Sequence, residues 1–166
     1  TIRPAAIRLV RETEDEQLVK ACMQQWKALP ADAQVLLIDV MSARGDRASL
    51  ADIVKACSAP EEAVRLAAIK AVGVLGDAAN VALLVERAAR TSGGEQAAAL
   101  ASLGTLKGAK VNPALVAELK RGGNAGKVVI CLALLERNAV EAAPALVEAA
   151  KAGGGPVRTE ALKALP

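Results

Sequence analysis

Between Glu61 and Arg90 the apolar residues fall into two helical stripes separated by a break. Val64, Ala67, Ala68, Val72 and Leu75 follow the i, i+3, i+4 steps that place side chains on one face of a helix. Val81, Leu84, Val85 and Ala88 make a second stripe after Gly76-Asp77. The pattern predicts a first helix over residues 61–75, opened by Pro60 and by two acidic residues that suit the positive end of a helix dipole. A turn at Gly76-Asp77 and a second helix complete the unit.

The same pattern returns every 31 residues. One column reads Ile7, Ile38, Ile69, Leu100, Cys131 and Leu162, and another Val10, Met41, Val72, Leu103, Leu134 and Leu165. In the second helix the columns are Cys22, Ile53, Leu84, Leu115, Leu146 and Met23, Val54, Val85, Val116, Val147. All entries are apolar and no insertion disturbs the register, which marks a helix-pair repeat. Asp15, Asp46 and Asp77 recur at the turn, where a carboxylate can accept a hydrogen bond from the free N–H groups of the second helix. Later copies hold Gly108 and Ala139 there and carry Pro113 and Pro144 early in the second helix, where a missing N–H costs nothing. The expected boundaries are a partial unit at 1–28, full units at 29–59, 60–91, 92–122 and 123–154, and a truncated unit at 155–166. A lone helix pair buries too little surface to offset the entropy of ordering it. The units must therefore stack, and the expected fold is all-α: an α–α superhelix, a right-handed solenoid of about five 31-residue repeats.

Composition agrees with this picture. The chain is 53% hydrophobic but only 1% aromatic, with Trp26 as its one aromatic residue, so the interior must be filled by Ala, Leu, Val and Ile. Small side chains of this kind suit close helix packing better than a β-sandwich. A net charge of +3 is too mild to argue for nucleic acid or an anionic membrane, and no apolar run is long enough to span a bilayer. No signal-peptide pattern opens the chain, which leaves the compartment open between a slightly favoured cytoplasm and a longer protein with a targeting segment ahead of Thr1. The chain begins at Thr1 and ends at Pro166 on an unfinished helical pattern, so it reads as a piece of a longer protein.

The segments "VRLAAIKAVGVLGD" and "EAAPALVEAAKA" resemble the HEAT repeats, in particular the short bacterial class named for phycobilisome lyases. The shared features are an apolar residue followed by Arg at the start of the first helix, an Ala-rich middle, Leu-Gly-Asp at the turn and Pro-Ala-Leu in the second helix. Val64-Arg65 and Val157-Arg158 keep the first feature, Ile2-Arg3 comes close, Lys127 substitutes for the Arg, and Gln34 and Gln96 depart from it. The resemblance covers essentially the whole chain and implies first helices on a convex side and second helices on a concave one. It also brings in enzymes built on similar repeats. Bilin lyases and di-iron hydroxylases imply a tetrapyrrole-handling surface or His-Glu metal ligands, and the chain has no His. Helical DNA glycosylases imply aromatics and a basic cleft, against a single Trp.

Several residues invite a chemical role and have a plainer structural one. Cys22, Cys57 and Cys131 share columns with apolar residues, and no His is present to activate a thiol, so core packing is expected. Trp26 shares a column with Cys57 and Ala88 and is expected to pack rather than to serve as an exposed anchor. Arg44-Gly45-Asp46 falls at a helix-to-helix turn. Gly93-Gly94, Gly122-Gly123 and Gly153-Gly154-Gly155 recur at unit boundaries and read as helix stops, not phosphate loops. Basic residues gather late in the second helices as Arg87, Arg90, Lys120, Arg121 and Lys151, where cations favour a helix C-terminus, with Glu118 among them. Gln24, Lys55, Glu86 and Glu148 form a polar column broken only by Ala117.

The expected function is a non-catalytic protein–protein interaction scaffold. Gln24, Lys55, Glu86 and Glu148 would form a groove floor for a protein or peptide partner, with Arg87, Arg90, Lys120, Arg121 and Lys151 along its rim. No catalytic residue, metal ligand or cofactor is expected, nor a nucleic-acid partner or membrane insertion. The alternative is a structural spacer in a large multidomain protein. Leu162 and Leu165, in a first helix without its second, imply end-to-end self-association.

Overall fold

The computed structural model describes residues 25–166, which form nine α-helices and no strand. Ile2-Arg3, Ile7, Val10, Asp15, Cys22, Met23 and Gln24 lie outside these residues. The helices fall into two compact units that divide after Leu75.

In the first unit a 3-10 turn at Trp26–Ala28 leads into α1 (Ala31–Arg44), α2 (Leu50–Ala56) and α3 (Glu62–Leu75). Both α1 and α2 pack on α3. Leu37, Ile38, Met41, Ile53, Ile69 and Val72 are buried between them. Trp26 is 5% exposed, so its ring belongs to the interior as its column requires. The following members of that column, Cys57, Ala88, Leu119 and Ala150, are buried too.

The second unit comprises α4 (Val81–Arg90), α5 (Gly93–Thr105), α6 (Val111–Arg121), α7 (Asn124–Glu136), α8 (Ala143–Ala152) and α9 (Gly155–Lys163). The first helices α5, α7 and α9 pack in sequence as one layer, and the second helices α4, α6 and α8 as another. Each second helix packs most heavily on the first helix that follows it: α4 on α5, α6 on α7, α8 on α9. No single helix pair is therefore complete, which is the physical reason a repeat of this length must be stacked.

Two kinds of polar contact set the joints. At the turn within a repeat, Asp46 Oδ1 accepts from Ala48 N at 3.0 Å and Asp77 Oδ1 from Ala79 N at 2.9 Å. Asn80 Oδ1 accepts in return from Asp77 N, which closes a capping box. These N–H groups belong to a short 3-10 turn preceding the second helix rather than to the helix itself. Arg44-Gly45-Asp46 leads into the first of these turns, with Gly45 at φ 69 supplying the left-handed residue that ends α1.

Between repeats the contact is a column of side-chain donors. Gln34 Nε2 donates to Leu29 O at 2.8 Å, and Arg65 Nη1 to Ala59 O and Pro60 O at 2.9 and 2.7 Å. Gln96 Nε2 donates to Ala88 O at 3.0 Å, and Arg158 Nε to Ala150 O at 3.1 Å. Each satisfies a carbonyl at or just past the preceding helical segment, where no intrahelical N–H remains. Gln34 and Gln96 thus depart from the Arg pattern in type but keep its task, because an amide carries a donor too.

Four departures from the expected columns are informative. Leu100 is half-buried: α3 buries a wide arc that takes in Ile69 and Gly73, whereas α5 buries only Glu95, Ala98, Ala99, Ser102 and Leu103, leaving Leu100 beside the stripe. Leu162 is 56% exposed and Leu165 half-buried, since no described helix follows α9 to cover them. Val54, Val116 and Val147 are half-buried where a core column was expected, each being turned one residue away from the fully buried Ile53, Leu115 or Leu146 on its helix, and only Val85 of the described members is buried. The glycines at unit boundaries are not all helix stops, since Gly93 and Gly94 open α5 and Gly155 opens α9.

Gly153 has a stricter role. A Cβ added there would lie 2.6 Å from Ala149 O and 2.7 Å from Val157 Cγ1, so the handover from α8 to α9 leaves no room for one. Gly153→Ala is expected to cost about 1–3 kcal/mol by forcing that joint apart. Gly126, inside α7, faces only an ordinary 3.5 Å contact with Val85 Cγ1. Gly126→Ala should instead stabilise by about 0.5–1 kcal/mol. Urea unfolding of both variants checks the opposite signs.

Candidate functional site

The second helices α6 and α8 lie side by side, and the shallow space between them is an open groove of about 470 Å³. Val116 and Leu119 from α6 and Pro144, Ala145 and Ala149 from α8 give it an apolar floor. These residue types follow from the repeat: the Ala-rich second helix keeps the wall low, and the half-buried valine column supplies the floor. Lys120, Lys127, Glu141 and Glu148 also line it.

Of the residues expected to form a site, Lys120 and Glu148 meet in this groove. Lys55 belongs to the first unit and is paired within its own helix to Asp52 at 2.8 Å. Glu86 and Arg90 pair with each other at 2.9 Å along α4, and Arg121 pairs with Glu118 at 2.8 Å along α6. Lys151 pairs with Glu148 at 3.0 Å and lines a smaller apolar cleft of about 250 Å³ with Val147, Arg158, Leu162 and Leu165. Arg87 is half-buried in α4 and does not line the groove. Gln24 lies outside the described residues. Helical spacing lets Arg90, Arg121 and Lys151 each find a carboxylate three or four residues back.

Sequence reasoning missed a polar chain at the groove's edge. Arg137 Nη1 donates to Leu103 O, Gly104 O and Leu106 O at 3.0, 3.0 and 2.9 Å, closing the C-terminus of α5. Its Nε donates to Asn112 Oδ1, and Asn112 Nδ2 donates to Glu141 Oε1 at 2.6 Å. That bond from Asn112, then Glu141's own backbone N–H and the charge of Arg137, hold the Glu141 carboxyl below the usual carboxylate range. Burial lowers the Arg137 guanidinium from its ordinary value, while Glu141 acts in the opposite sense. The available signal was a repeat position that changes type, Leu106 giving way to Arg137.

Cys57 and Cys131 are fully buried. Burial, reinforced by the charge of Glu160, pushes the Cys131 thiol up to about 11, the wrong direction for a nucleophile. Among the described residues no three His, Cys, Asp or Glu side chains gather as a metal site, and no helix is long and apolar enough to cross a membrane.

The model of the HEAT repeats matches residues 19–104, just over half of the chain. The chain belongs to the HEAT-repeat family. The paired helices, their two layers in the second unit and the all-α content are those of HEAT repeats, as the 31-residue columns led us to expect. Among solved structures, the complex of CpcE and CpcF of phycocyanin lyase from Nostoc sp. PCC7120 is similar over 90% of this chain and 99% of that one, with 14% sequence identity and a TM-score of 0.49. No curated protein matches the HEAT-repeat chain significantly.

Proposed function

We propose that this HEAT-repeat chain is a non-catalytic scaffold that binds a protein partner through the groove between α6 and α8. The observation that carries the reading is the groove itself: an apolar floor, open to solvent, flanked by charged residues of both signs. An apolar surface with a polar margin is the arrangement of a protein interface. The spacer reading draws support from the ion pairs within helices, which leave much of the charged surface without a task for a partner.

Substitution of Ala149 by Trp separates the two. Ala149 is half-buried on the groove floor, and a large ring there fills the space a partner would occupy. A protein that co-purifies with the wild-type chain at fixed stoichiometry should be lost from Ala149→Trp, while the two melt within a few degrees of each other. Unchanged capture by a normally folded Ala149→Trp variant would move the interface elsewhere, and the lack of any stoichiometric partner would favour the spacer.

A further inference from the structure

The groove lining holds two lysines and two glutamates, and they differ in whether they have partners. Glu148 is paired with Lys151 at 3.0 Å, and Glu141 is held by Asn112 with Arg137 behind it. Lys120 and Lys127, by contrast, make no ion pair or side-chain hydrogen bond among the described residues. Unlike Lys120, the cations Lys55, Arg90, Arg121 and Lys151 late in the second helices each have a carboxylate within their own helix.

Lys127 is exceptional in a second way. It stands 31 residues after Gln96 and 31 before Arg158, in the column whose other described members each donate to a carbonyl of the preceding segment. In the fourth repeat that position joins the groove lining instead. A local rule obeyed in four repeats and dropped in the one that borders an open apolar groove is where a functional departure is expected.

From these two observations we infer that the occupant of the groove is an acidic peptide segment of a partner protein. Its carboxylates meet Lys120 and Lys127, and an apolar side chain settles against Val116 and Leu119. This rests on the groove reading of the preceding section. Two ammonium groups beside a hydrophobic floor match a segment that mixes Asp or Glu with Leu-like residues.

The test is a selection of random phage-displayed dodecapeptides on the whole chain, followed by fluorescence anisotropy of the enriched peptides. Enriched sequences should be net acidic with apolar residues interspersed. Their affinity should fall about tenfold or more for Lys120→Glu with Lys127→Glu, fall on raising the salt, and vanish for Ala149→Trp. The double variant should in turn select basic peptides. Peptides blocked by Ala149→Trp but indifferent to both Lys→Glu changes would overturn the acidic occupant and leave the groove standing. Peptides indifferent to all three, or no enrichment at all, would overturn the groove reading and this inference with it. Lys120 is exposed and Lys127 half-buried, so a thermal melt confirms that the double variant is folded before its affinity is read.

Discussion

Ile69→Ala is expected to destabilise the chain by about 2–5 kcal/mol, while Leu162→Ala, two branched aliphatic positions of the same column, should cost about 0.5 kcal/mol or less. Ile69 is fully buried in α3, so removing its three outer carbons leaves both lost transfer energy and a cavity that Ala68 and Val72 on either side are too fixed to fill. Leu162 is more than half exposed on α9, and its truncation removes little buried surface. Leu100→Ala, at the half-buried member of the column, should fall between them. Chemical denaturation of the three variants gives the order directly. Equal costs at positions 69 and 162 would mean that the repeat register does not govern burial.

The second large effect is expected at Arg137. Replacing it with Met keeps the length and the apolar stem but removes the donors that close three carbonyls at the end of α5. The loss should be about 2–3 kcal/mol, the scale of hydrogen bonds to a charged group whose acceptors are left partly buried and unpaired. Arg137→Lys should recover less than half of it, because an ammonium is a single point and cannot hold Asn112 with one edge and the helix terminus with another. The same substitution loosens Asn112, so the Glu141 carboxyl should titrate closer to its ordinary value; its pKa, now held down, rises. Carboxylate titration by NMR, alongside the unfolding curve, distinguishes a lost anchor from a general loosening. A full rescue by Lys would mean that charge alone matters at this site.

The repeat was legible because burial in a helix stack is periodic, and side chains such as Met41, Val72, Leu103 and Leu134 must be apolar at one spacing. The turns were legible too, since Asp46 and Asp77 have few reasons to stand there other than to receive backbone N–H groups. The groove was less so. A column that is apolar throughout does not tell a core position from a groove floor, and Val116 differs from Leu115 only in what the neighbouring helix covers. The polar column taken for a floor was read without knowing that Glu86 and Glu148 would be engaged by Arg90 and Lys151 one turn away. Arg137 was invisible for another reason. Its partners are main-chain oxygens more than thirty residues back, and carbonyl groups leave no mark on a sequence.

The donors at Gln34, Arg65, Gln96 and Arg158 reach back only five to eight residues. The second helices likewise meet the first helix next along the chain, α2 on α3, α4 on α5, α6 on α7 and α8 on α9, and within each unit the first helices meet the one a single repeat away. Such a molecule has low contact order: little loop-closure entropy stands between the extended polypeptide and its first stable joint. Nucleation need not wait for remote segments to find one another, and structure can grow outward from whichever joint forms first, in the manner of a zipper rather than a knot.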